Sequence, residues 1–382
     1  MTLLVITLVG IILSSLVKVD HVVDGYWIPK QATWAVSGII IGLYGMMHTK
    51  ALRELRNPWL TAFVLYVTGL FGLSFLWFHI NTPIQVVALT GDARQTLNWN
   101  VGPIIPFVSI LGSFLAVYMW ATRLSQGQFI VVGRFIGWLG FIVAVFGWLQ
   151  WFGIDLINAR TGLGYSVPDK YSPGTFFGSP LASSAFLAVC APFLFHPLSI
   201  TQKIMLSVIV ALLIVTKGGS LAALSSLYIS GALYCWLTSQ RRLFLLFVIG
   251  ALCAFPFLVP KIIDFGGRWD GWIDITQKWI SINPFFGLGL GSIRTLFLKE
   301  SWRWYPLHND LFQLFVETGF IGGCLFVLSI MKNIFGYFKS MDGLKASWAA
   351  SGAAYLFVSF SSFPSHSGVL PIGCLIFAFL IQ

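Results

Sequence analysis

The segment PLHNDLFQLFVETGFIGG, residues 306–323, gathers the side chains best suited to acid–base chemistry. A histidine titrates near neutral pH and can take a proton from a hydroxyl, while neighbouring carboxylates and amides can orient it or a substrate. Pro306 disfavours helix at the residue before it, and Asn309 is a good N-cap for a helix starting at the next residue. Asp310, Gln313 and Glu317 then recur at i, i+3 and i+7, one polar stripe on a helix that runs into an apolar stretch, with His308 at its mouth. An Asp at a bilayer centre costs about 2.5–3.5 kcal/mol, so polar groups at that depth normally face a cavity or a partner. The plainer alternative is a helix end whose charges meet water. Convergence of a His, a Gln and two carboxylates favours a site.

Two further stretches bear on that segment. Arg268–Ile282 reads RWDGWIDITQKWISI, with Trp269, Trp272, Ile273, Trp279 and Ile280 at helical spacing and Asp270, Asp274, Gln277, Lys278 and Ser281 filling the other face. Such a helix suits the membrane interface, with its tryptophans at headgroup depth. Stacking on the apolar faces of sugar rings is the sharper reading of the same rings. In NPFFGLGLGS, Gly287, Gly289 and Gly291 lack the preceding strand and βαβ unit of a nucleotide loop, and read instead as a tight turn that lets backbone approach a neighbour.

One cation stands apart. Lys217, in TKGGS between two apolar runs, reads equally as a snorkelling residue or as a point charge for phosphate. His21, His48, His79, His196 and His366 read as interface or solvated loop residues. Cys190, Cys235, Cys253, Cys324 and Cys374 fall in apolar runs without a CxxC pair or a His at ligand spacing, so they read as core fillers, not as disulfides or metal ligands. No metal and no cofactor are expected.

The elements that must position these residues follow from composition. The 382-residue chain is 57% hydrophobic and 9% charged, with mean hydropathy +0.84. A soluble domain carries about 25% charged residues, so lipid must be the main solvent here. Apolar runs near 2–17, 32–47, 59–80, 101–122, 135–153, 175–195, 204–216, 220–238, 243–260, 317–336, 346–362 and 367–382 approach spanning length. In lipid the backbone must satisfy its own hydrogen bonds, which forces helices. The expected fold is all-α: a single polytopic transmembrane domain over 1–382, of about twelve helices. One long outer loop, 261–316, lies between helices 9 and 10, and lesser ones lie at 81–100 and 154–174. Residues 1–17 lack a basic start and a cleavage site, and read as a retained helix.

Charge gives the orientation. The loops 48–58, 123–134, 196–203, 239–242 and 332–345 share one side and hold eleven Lys and Arg against Glu54 and Asp342. The remaining twelve basic and eleven acidic residues lie on the other side, so the first face is cytoplasmic and 261–316 is external. The net charge of +10 is therefore a topology signal, not a nucleic-acid footprint.

The pattern His308-Asn309-Asp310, Gln313, Glu317-Thr318-Gly319, Ile321-Gly322 resembles the signature of the O-antigen ligase and polymerase superfamily. Arg268, Trp272, Asn283-Pro284 and Gly287-Leu288-Gly289-Leu290-Gly291 follow the family's upstream stretch in order. Gly174-Thr175-Phe176, Gly178, Ala182, Pro192 and Phe363-Pro364 fit as well, so the resemblance covers roughly residues 130–375. It implies a metal-independent GT-C glycosyltransferase of the bacterial inner membrane, acting on the periplasmic face. Such an enzyme passes a glycan from a polyprenyl diphosphate to an acceptor hydroxyl, on a lipid core or another glycan. By resemblance His308 is the base, Gln313 and Glu317 orient it or the sugar, and Arg268 binds the diphosphate. Trp272, Asn309 and Asp310 would contact glycan or acceptor. Where the family has Ser-Arg-Gly, this chain has Lys217-Gly218-Gly219-Ser220, and a lysine cannot make the arginine's bidentate phosphate contact. A ligase is expected because the chain is compact. A polymerase joining lipid-linked repeat units and a flippase for lipid-linked glycans are the alternatives.

Overall fold

The computed structural model describes residues 58–81, 85–87, 96–98, 124–154, 180–216, 220–263, 268–289, 309–337, 342–359, 373 and 376. Nine helices carry these residues: α1 (Pro58–Asn81), α2 (Gln126–Trp151), α3 (Pro180–Cys190), α4 (Ile200–Val215), α5 (Ser220–Leu237), α6 (Arg241–Ile263), α7 (Arg268–Ile282), α8 (Asp310–Tyr337) and α9 (Gly343–Ser359). A 3-10 turn, Ala191–Leu194, continues α3. Among the described residues the one sheet is a short antiparallel ladder, β1 (Gln85–Val87) with β2 (Thr96–Asn98), inside the expected outer loop 81–100. The expected spans at 2–17, 32–47 and 101–122 lie outside the described residues, as does nearly all of 367–382.

Local sequence explains where the helices begin. Ser125 and Gln128 close a capping box on α2, with the Ser125 amide donating to Gln128 Oε1 at 2.9 Å. Ser199 and Gln202 do the same for α4. Asp342 caps α9 by accepting from the Lys345 amide at 2.8 Å.

The core lies among α2, α3 with its 3-10 turn, α4, α5 and α9, where Phe186, Leu187, Ile209, Leu212 and Trp348 are buried. Small residues let the helices close up. A Cβ on Gly140 of α2 would lie 2.6 Å from Cys190 Cβ. Serines tie the same helices together: Ser226 Oγ donates to Ala354 O at 2.8 Å, and Ser351 Oγ to Val189 O at 2.6 Å. Small residues and inter-helix serine bonds are how helices associate where lipid supplies no hydrophobic drive. The outer faces are apolar, with Val131, Trp138, Ile142 and Val145 of α2 and Leu245, Leu246, Ile249 and Leu252 of α6 all exposed. A surface of that kind needs an apolar partner. Among the described residues two segments, Gln126–Trp151 and Leu311–Ser329, are long and apolar enough to cross a membrane.

Two expectations are corrected. Arg134 is not a loop residue, because α2 begins at Gln126 and carries it two turns into the helix. Cys253 and Cys324 are not core fillers: both are exposed on the apolar surface, unlike the buried Cys190 and Cys235. Within the expected outer segment 261–316, α6 runs to Ile263 and α8 starts at Asp310, one residue after the expected cap Asn309. The expected helix Arg268–Ile282 is present with those bounds as α7.

Candidate functional site

The polar stripe sits on a helix that breaks. At Gly319 the backbone of α8 adopts φ 72° and ψ −178°, a conformation essentially reserved for glycine. A break leaves carbonyls and amides without their helical partners, and each must be satisfied elsewhere. The glycine-rich turn after α7 does this. Leu288 N donates to Val316 O at 2.8 Å and Gly289 N to Glu317 O at 3.1 Å. In return Phe320 N donates to Pro284 O at 3.0 Å and Ile321 N to Phe285 O at 3.2 Å. Tyr66 of α1 reaches in and donates its hydroxyl to Thr318 O at 2.7 Å. Turn and break cap each other.

That mutual capping needs both glycines. A Cβ on Gly287, where φ is 80°, would lie 2.5 Å from Glu317 O, and one on Gly319 would collide with the carbonyl of Phe285. The close backbone approach expected of the glycine stretch is thus met, and its neighbour is the Glu-Thr-Gly segment. Beside it, Ile275, Trp279 and Val316 form a small apolar cluster against Trp272, Leu288, Phe312 and Phe315.

On this frame Asn309 caps α8, accepting from Phe312 N at 2.9 Å, and is buried. Gln313 Nε2 donates to Glu317 Oε1 at 3.0 Å. Glu317 is 8% exposed, an ionisable group held inside the fold one turn from an amide donor. The structure therefore brings Asn309, Gln313 and Glu317 together on the short helical piece before the break. Asp310 starts that piece. Trp272 packs against Phe312, ring centroids 5.9 Å apart, which makes it first a wall of this cluster. Arg268 starts α7 in the register of Trp272, Ile275 and Trp279. His308 and Lys217 lie outside the described residues.

The apolar side of α7 divides into two stripes. Trp279 is buried against Phe320, ring centroids 4.8 Å apart, whereas Ile273 and Ile280 are exposed beside the polar face. Trp279 Nε1 finds no acceptor among the described residues. Tyr66 was not legible as part of this region: it lies over two hundred residues upstream, in a helix whose apolar sequence marks no one tyrosine. No group of three His, Cys, Asp or Glu could hold a metal among the described residues. No protein-family model matches this chain, and no curated protein matches it.

Proposed function

We propose that the chain is a polytopic membrane glycosyltransferase of about twelve helices that moves a glycan from a polyprenyl diphosphate to an acceptor hydroxyl, in the manner of an O-antigen ligase. The observation that carries the reading is the buried carboxylate of Glu317, which accepts from the half-buried Gln313 at 3.0 Å directly before the break at Gly319. A carboxylate held that way is costly to bury, and functional sites are where such a cost recurs. Its depth suits the chemistry. The 18 residues of α8 after Gly319 span about 27 Å, close to the hydrocarbon thickness, so Glu317 would sit at the boundary where a lipid-linked diphosphate lies.

The roles follow from elementary chemistry. A diphosphate leaving group needs cations at its developing charge, for which Arg268 and Lys217 stand. The acceptor hydroxyl needs a base, for which His308 stands, adjacent to the buried cap Asn309. Gln313 and Glu317 fix the orientation of that histidine or of the sugar.

One observation favours the flippase reading, namely the broken helix itself, because transporters bind substrate at discontinuous helices. They use such breaks in pairs, and α8 alone has non-helical backbone inside it among the described residues. The purified protein, given a polyprenyl-diphosphate glycan and each of a lipid-core and a glycan acceptor, should form a covalent product with the lipid core. Donor crossing a vesicle bilayer without product formation would point to the transporter instead.

A further inference from the structure

Arg134, two turns inside α2, lies far in sequence from the Gln313–Glu317 region. Arg134 belongs to the outward stripe of α2, in line with Val131, Trp138, Ile142 and Val145, all exposed and all apolar. It lies eight residues past Gln126, about 12 Å along the helix. No carboxylate pairs with it among the described residues. Asp342, at the N-terminus of α9, is committed to the Lys345 amide at 2.8 Å and to Gln126 Nε2 at 3.3 Å.

Beside Arg134 is a cavity of about 100 Å³ between α2, the end of α3 and the start of α9. Its polar lining is Arg134, His196 and Ser347, and its apolar lining includes Ile130, Phe193 and Leu344. Ser347 already donates to Gly343 O, leaving the guanidinium and the imidazole as the groups able to take an anion. Lys345 lies in the first turn of α9. A cation on a lipid-facing stripe, opening onto a half-apolar cleft too small for a whole lipid, fits one ligand chemistry: a phosphate whose acyl chains stay outside along α2. Basic pockets between helices on the positive-inside face hold anionic headgroups in this way.

We infer that the cleft at Arg134 and His196 binds the phosphate headgroup of an anionic phospholipid in the cytoplasmic leaflet. The inference rests on the membrane reading above but not on the transfer chemistry. It is tested with the full-length protein in mixed detergent micelles holding equal phosphatidylglycerol and phosphatidylcholine, the retained lipid being counted by native mass spectrometry. The wild type should retain one phosphatidylglycerol in about fivefold preference, the worth of one juxtamembrane cation. Arg134→Gln should lose that preference, whereas Arg241→Gln, an exposed cation in the first turn of α6, should keep it. Unchanged preference in Arg134→Gln would overturn the site. Displacement of the lipid by millimolar inorganic phosphate would overturn the lipid as its source. Failure to retain either lipid would count against the membrane reading itself, and is distinguishable from both.

Discussion

Gly287 and Gly319 face each other so closely that a Cβ on either would lie 2.5 Å from the other's amide nitrogen. Both residues have positive φ, at 80° and 72°, and between them the glycine-rich turn and the broken helix exchange four backbone hydrogen bonds. The Gln313–Glu317 pair hangs from this joint. The joint lets a helix break without leaving orphaned backbone groups.

Gly319→Ala should therefore be among the most damaging small substitutions in the chain. Strain at such backbone costs about 1–3 kcal/mol before any clash is counted. Thermal unfolding in detergent should show a clear loss for Gly319→Ala and for Gly287→Ala. Gly127→Ala, at an open position in the first turn of α2, should be neutral or slightly stabilising. Equal midpoints for all three would dissolve the joint.

Much of this frame was legible in the sequence, for physical reasons. The bounds of α7 and the Asn309 cap follow from periodicity and capping chemistry, which are local. The break at Gly319 was not legible, because the apolar run continues through it and the backbone it frees is satisfied by distant groups, the turn at 284–289 some thirty residues earlier and Tyr66 of α1. Arg134 misled for a related reason: an arginine looks like the end of a span, whereas a long side chain on an outward stripe can sit two turns inside one. Tyr66 and the partition of α7 into buried and exposed stripes depend on tertiary neighbours that no local pattern encodes.

Within the pair, the two partners should separate stability from activity. Gln313→Leu removes a donor from a buried carboxylate and should cost about 1–3 kcal/mol of stability. Glu317→Gln keeps the shape and should leave the unfolding midpoint near wild type while slowing transfer by about 10- to 100-fold, the usual cost of misplacing reacting groups. Wild-type transfer by Glu317→Gln would reduce the pair to a structural role.

The cations make a distinct claim. Arg268→Ala and Lys217→Ala should each weaken binding of the polyprenyl-diphosphate donor by about 1.5–3 kcal/mol, the worth of a charge-assisted hydrogen bond. Lys217→Arg should retain or raise activity. Unaltered donor affinity in Lys217→Ala would leave Lys217 as a snorkelling residue.

Transfer should also proceed without a divalent metal, since the proposed charge on the leaving group is met by side chains. Rates in EDTA should match those in magnesium. Activity abolished by EDTA and restored by magnesium would contradict the chemistry.

The most direct measurement compares glycan transfer by the wild type and by His308→Ala, with donor binding followed in parallel. In the sequence His308 directly precedes Asn309, and it is Asn309 that caps α8 by accepting from Phe312 N at 2.9 Å. His308→Ala should therefore purify normally, bind donor lipid, and lose about 100- to 10,000-fold in transfer, the range for a general base. His308→Gln should be nearly as slow, because an amide forms a hydrogen bond but does not accept the proton. Transfer by His308→Ala at the wild-type rate, with donor bound, would contradict the proposal that this histidine activates the acceptor.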